Sequence, residues 1–232
     1  MQQVEKLAGE TNRDFAKRII TDKLVSLELK PGQMVSENEL AAELSISRTP
    51  VREALIELSK VKIVEVIPQK GIRVSLIDDE KIEEFRFMRF ALETAIMDII
   101  CKITDPHEFD ALIENVKLQK FYLENDRTDT LWELDNSFHK ELFRISKMSS
   151  LYDLVREMSI CFDRVRNMNM VSGTSTNIQI VDEHSQILEA ILQGDAARAK
   201  EYTITHLSHY QIDKASIQKN YPASYFQNSE FG

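Results

Sequence analysis

The sequence predicts a mainly α protein in two parts: a small N-terminal head of helices closed by a β-hairpin, then an all-α antiparallel bundle of six or seven helices. Three observations predict it. Apolar residues recur at helical spacing from Asn12 to Leu58 and again from Asp78 onward. Strand character, meaning β-branched residues on either side of a Pro/Gly turn, is confined to Lys62–Leu76. Charge changes sign at the same border. Residues 11–77 hold 11 Lys and Arg against 9 Asp and Glu, whereas residues 78–232 hold 17 against 27. The overall charge of −9 therefore belongs to the bundle, and a mildly basic head is left to face an anionic partner.

In the head, Phe15, Ile19, Ile20, Leu24 and Leu27 give a first amphipathic helix over Asn12–Leu29, ended by the Pro31-Gly32 turn. Ser36 and Glu39 have the spacing of a capping box at the start of a short second helix with Leu40, Ala41 and Leu44 inward. After Ser45-Ile46-Ser47 a third helix begins with Pro50 in its first turn, where a missing N–H costs little. Val51, Ala54, Leu55 and Leu58 form its inner face, and Arg48 and Arg52 point the other way. Two short helices, a tight turn and arginines on the second describe a helix-turn-helix. Lys62–Ile67 and Ile72–Leu76 then pair around Pro68-Gln69-Lys70-Gly71 as a wing, with Gly71 permitting close backbone approach to a groove.

The string Leu29-Lys30-Pro31-Gly32, Ser36-Glu37, Glu39-Leu40-Ala41 and Ser47-Arg48-Thr49-Pro50-Val51-Arg52-Glu53-Ala54-Leu55, with Gly71-x-x-Val74 in the wing, resembles the DNA-binding head of the GntR family. The resemblance covers about residues 10–77. It implies that Arg48 and Arg52 reach bases or phosphates in the major groove, that Thr49 binds backbone phosphate, and that Lys70 and Gly71 at the wing tip enter the minor groove. Two positions depart from the family pattern. Asn38 stands where a basic DNA contact is common, and Lys62 replaces a usual glycine before the wing. Taken alone, the arginine pair would also suit a solvated face on a protein-docking winged helix.

In the bundle, inward faces are expected from Ile82, Phe85, Arg89, Leu92 and Ile96; from Phe109, Leu112, Ile113 and Val116; and from Leu151, Leu154, Val155, Met158 and Val165. Polar residues on apolar faces are the informative ones. Asp135 and His139 lie in the stripe of Leu131, Leu134, Phe138 and Leu142, four residues apart. His184 sits among Ile180, Val181, Ile187 and Leu188, and His206 among Ala199, Tyr202 and Tyr210. Gly194-Asp195 turns the last two helices into a hairpin, with His184 and His206 each 11 residues from Asp195. Both therefore stand roughly 16 Å from the turn, level with each other. One carboxylate and three imidazoles converging in a bundle make a metal site, although any one of them alone would read as a hydrogen-bonded core residue. His107 and His209 are expected at the surface.

With Asp135-x-x-Phe138-His139, Glu183-His184 and Gly194-Asp195…His206, residues 80–215 resemble the FCD ligand-binding domain of the FadR subfamily. That resemblance implies Asp135, His139, His184 and His206 as ligands, usually for zinc or nickel. It also implies that Arg89, in Arg89-x-x-x-Glu93, binds the carboxylate of an organic-acid effector; a buried ion pair with Glu93 is the other reading of Arg89. The expected division is 10–77 for DNA binding, 78–218 for the effector, metal and dimerisation domain, and 219–232 for a C-terminal tail.

The function expected is a cytoplasmic, homodimeric transcriptional regulator, most simply a repressor, on a pseudo-palindromic operator. Composition excludes a membrane or secreted disulfide-bonded class: no run approaches 18 apolar residues, the first ten lack a signal core, and Cys101 and Cys161 stand alone. A metal sensor without organic effector keeps the same site. A metalloenzyme would need a second acid or base near the ligands, and none is placed there by spacing.

Overall fold

The structure, a computed structural model of the chain, describes residues 5–125, 127, 130–171, 177–209, 217 and 219–227. The side chains of 169–171 and 209 fall outside that set, as do the Ser172–Asn177 loop through residue 176 and Tyr210. Among the described residues there are ten α-helices and one three-stranded antiparallel sheet. Two compact units emerge, one of residues 1–82, 157–172 and 213–232, the other of 83–156 and 173–212.

The first unit is the head. Helix α1 runs Asn12–Val25 and is capped by the Thr11 hydroxyl accepting from the Asp14 N–H. It ends sooner than the expected Leu29. Leu27 turns into the left-handed region at φ 63°, and Leu29 N–H closes back on the Lys23 carbonyl. Helix α2 (Glu37–Glu43) starts on Ser36, whose hydroxyl accepts from Glu39 N–H as the capping box requires. Helix α3 (Arg48–Lys60) buries Val51, Ala54, Leu55 and Leu58 against Ala16, Ile20 and Leu24. Arg13 and Lys17 of α1 both reach Glu57 of α3.

The wing is β2 (Val64–Ile67) and β3 (Gly71–Val74), and the sheet has a third member that alternation did not announce. Met34–Val35, β1, pairs with β3, giving the order β1-β3-β2. Two residues carry no visible alternation, so only the partner strand makes β1 a strand. Glu65 and Arg73 face each other in the register and form an ion pair at 2.7 Å.

The end of α3 answers the glycine substitution noted in the sequence. Lys62 adopts φ 59°, with Lys62 N–H to Ser59 O and Ile63 N–H to Leu58 O. That is a left-handed helix stop, which favours glycine, carried here by lysine.

Helix α4 spans Asp79–Ile100, α5 Asp110–Glu124, α6 Leu131–Ile145, α7 Ser149–Met158, α8 Ile160–Val171, α9 Asn177–Leu192 and α10 Ala196–His209. Among the described residues, seven α-helices thus follow the wing. The face expected from Leu151 to Val165 is not one face, because the helix breaks at Ser159: Val155 and Val165 are buried, while Leu154 and Met158 are exposed. Helix α8 belongs to the head unit, where Ile160 joins the apolar core and Arg164, fully buried, donates to the Ser75 and Leu76 carbonyls at 2.8 and 3.3 Å. The end of the chain joins the same unit. Ile77 N–H donates to Tyr225 O and Gln227 N–H to Ile77 O, forming a parallel bridge between Ile77 and Phe226.

Candidate functional site: a buried imidazole cluster and an exposed basic head

Four residues of the second unit meet as the spacing predicted. Asp135 and His139 come from α6, His184 from α9 and His206 from α10, all buried, with one ligand atom from each within 4.8 Å of the others. His206 Nε2 lies 3.3 Å from both His184 Nε2 and His139 Nε2. Asp135 Oδ1 stands 3.7 Å from His184 Nε2 and 3.9 Å from His139 Nε2.

The other ring nitrogen of each histidine faces an acceptor. His139 Nδ1 donates to Glu93 Oε2 at 2.7 Å, His206 Nδ1 to Glu183 Oε2 at 2.9 Å, and His184 Nδ1 to Gln119 Oε1 at 2.8 Å. Gln119 cannot present its amide the other way, because its Nε2 donates to Asn115 Oδ1 and Asn115 Nδ2 donates to the Leu134 carbonyl. The ring of His184 is also stacked on Phe138, centroids 3.9 Å apart and planes 14° from parallel. With every Nδ1 committed as a donor, neutral imidazoles turn three Nε2 lone pairs and a carboxylate oxygen toward one point. Such a set repels itself at 3.3 Å unless a cation lies between. Edges of that length fit metal–nitrogen bonds of about 2.1 Å, and the outer acceptors are those that orient ligating histidines.

For His139 the electrostatics agree with a neutral ring. Burial holds the His139 pKa below its ordinary value, overriding the attraction of Glu93. Glu93 is fully buried, which alone would raise its pKa, yet Arg89 and His139 hold it down to about 2. Arg89 Nε donates to Glu93 Oε1 at 2.7 Å, so this carboxylate serves an arginine on one oxygen and a histidine on the other.

Asn115, Gln119 and Glu183 were not singled out as site residues. For α5 a signal existed: Asn115 and Gln119 are four apart beside Leu112 and Val116, the pattern that exposed Asp135 and His139 on α6. His107 is exposed as expected, paired with Asp110 at 3.2 Å. Tyr202 is half-buried, and its hydroxyl accepts from Arg198.

In the head, Asn38, Arg48, Thr49 and Arg52 are all exposed at the start of α2 and the first turns of α3. Arg48 Nε donates to Glu37 Oε2 at 2.5 Å, fixing the guanidinium across the two helices. Lys70 and Gly71 are exposed at the wing tip, where Gln69 and Gly71 take φ 61° and 109°.

Residues 12–74 match the family described as bacterial regulatory proteins, gntR family, and residues 84–209 match the FCD domain. The chain belongs to the GntR family of transcriptional regulators and carries an FCD domain. This GntR regulator is similar to an uncharacterized HTH-type transcriptional regulator in an unstable DNA locus of Streptomyces ambofaciens, 32% identical over 92% of this chain and 89% of that protein. It is similar also to the HTH-type transcriptional repressor RspR of Escherichia coli, 27% identical over 87% and 88% of the two chains. Among solved structures it shares the fold of E. coli McbR/YncC, with TM-score 0.75 and 18% identity over 91% and 99% of the chains. A GntR regulator is a DNA-binding protein, not an enzyme.

Proposed function

We propose that this GntR regulator is a homodimeric repressor whose affinity for a pseudo-palindromic operator is set by a small organic acid bound at a divalent transition metal. Asp135, His139, His184 and His206 would hold the metal, zinc or nickel best suiting an imidazole-rich set. The metal supplies open coordination positions and positive charge; the chain fixes the imidazoles and places Arg89 beside them. The observation that carries this reading is the convergence of three Nε2 atoms with each Nδ1 held by an acceptor. On the DNA side, Arg48, Thr49, Arg52 and Asn38 would meet the major groove and Lys70 and Gly71 the minor groove, a reading supported by their shared exposure. The divisions 10–77, 78–218 and 219–232 serve operator binding, sensing with dimerisation, and a tail. The regulator acts in the cytoplasm, where its operator is. The name of RspR supports repression rather than activation.

A second reading, a metal-responsive regulator with no organic effector, is favoured by one observation: Arg89 is already engaged by Glu93. Elemental analysis of the purified protein beside a His139→Ala, His184→Ala variant tests the site. About one transition-metal ion per chain, lost in the variant, is expected; no metal in either overturns the site. Operator binding by fluorescence anisotropy then separates the two readings. A carboxylic acid that shifts affinity in the metal-loaded protein and fails with Arg89→Ala supports the first, and a response to metal alone that survives Arg89→Ala supports the second.

A further inference from the structure

We propose that residues 221–227 form a releasable strap: closed on Ile77, it fixes the connection between the wing and α4, and its release carries the state of the α9–α10 hairpin to the head. The inference rests on the sensor reading above and names a route from that sensor to the DNA-binding elements.

The connection is short, Ser75–Asp78, between the end of β3 at Val74 and the start of α4 at Asp79. Such a segment between two domains is ordinarily a free hinge. Here its main chain is held at every residue. Ser75 N–H donates to Ile63 O, and Arg164 donates to the Ser75 and Leu76 carbonyls. Ile77, buried, donates its N–H to Tyr225 O and accepts from Gln227 N–H, and Asp78 O accepts from Ile82 N–H. Arg164 belongs to α8, the helix before α9, whereas Tyr225 and Gln227 belong to the segment after α10. The hairpin between them carries Glu183, His184 and His206. In both directions, therefore, the chain leaving the hairpin arrives at the same three residues, Ser75, Leu76 and Ile77.

The end of the chain is shaped for this contact. Ile217 is buried and accepts from Tyr221 N–H. Pro222, at φ −60° and ψ 138°, stops that turn. The short 3-10 turn Ala223–Tyr225 then delivers Phe226 extended, at φ −109° and ψ 145°, as pairing with Ile77 requires. The pairing is nevertheless a single residue long. Two main-chain hydrogen bonds at their usual net strength favour the closed strap by about 30-fold. A ligand that couples two sites shifts an equilibrium by roughly 5- to 150-fold, so a contact of this size lies within its reach. The charged bonds of Arg164 are each stronger, which makes α8 the fixed side of the join and the strap the side that yields.

Amide hydrogen exchange on the full chain, zinc-loaded and stripped by chelator, tests the proposal, with zinc content read in parallel. Exchange at Ile77 is expected to differ at least about fivefold between the two states. A chain ending at Asn220 keeps the four ligands and lacks the strap. Its Ile77 should exchange about 30-fold faster than in the closed full chain, equally with and without zinc, and its operator affinity by fluorescence anisotropy should no longer answer zinc. Gln227→Pro is the gentler variant. It removes one N–H, and Phe226 already has the extended backbone that a following proline demands. It should speed Ile77 exchange about fivefold, whereas Gln227→Ala, which keeps the N–H, should leave exchange unchanged. A full chain that takes up no zinc overturns the sensor reading and the proposal with it. Bound zinc that leaves Ile77 exchange unaltered, a truncation that leaves Ile77 protected, or a zinc effect on operator affinity that survives truncation overturns the strap alone.

Discussion

Around Leu55 the head buries hydrocarbon: Ile20, Leu24, Val51, Ala54, Leu58, Ile63 and Val74 close on it with at most 1% of any side chain exposed. Around His184 the bundle buries three imidazoles, the carboxylates of Glu93, Asp135 and Glu183, and the amides of Asn115 and Gln119. Both interiors are nearly inaccessible to water, but they are stabilised differently. The first is non-directional and needs only volume and contact. The second is directional: each polar group is costly unless its partner stands at the right distance, and the cluster at its centre carries four metal-type donors. The head can therefore fold on composition alone, while the bundle's stability depends on what fills its centre.

The largest effect that should separate the two is Leu55→Ala. It opens a cavity in the dry core and is expected to cost about 2–5 kcal/mol, lowering the head's thermal transition while metal content per chain stays unchanged. Metal removal should do the reverse. At a hundredfold excess over its dissociation constant a metal stabilises by about 2.7 kcal/mol, so chelation should lower the bundle's transition in calorimetry and leave the head's in place. If one transition moves as a whole under both treatments, the two interiors do not unfold separately.

Gln119→Leu sharpens the comparison without touching a ligand. It deprives His184 Nδ1 of its acceptor and should weaken metal affinity by about 10- to 100-fold, read by competition with a chromophoric chelator. An unchanged affinity would mean that stacking on Phe138 alone orients the ring. The smallest effect is Lys62→Gly, which should stabilise the head by about 1 kcal/mol by relieving a left-handed lysine, visible as a rise of a few degrees in its transition.

What the sequence made legible follows the same contrast. Helical spacing located α1, α2 and α3, and the four candidate ligands were found because polar residues interrupt apolar stripes on α6, α9 and α10. Their meeting point was legible too, since Gly194-Asp195 fixes the register of a hairpin. Less local facts were not. Strand β1 exists through its pairing with β3, the break at Ser159 interrupts a run of good helix spacing, and Gln119 acquires its role from a histidine 65 positions away. Periodicity reports which side of an element is inward. It does not report what waits there.

Arg164 joins α8 to the end of the wing through two backbone carbonyls, those of Ser75 and Leu76, and its guanidinium stays charged because even full burial lowers its pKa only to about 10. A clasp that grips main chain is indifferent to the side chains along it. The two hydrogen bonds therefore place no demand on the side chains of residues 75 and 76, whereas they do on position 164, because a lysine there would lack the planar fork that spans two carbonyls at once.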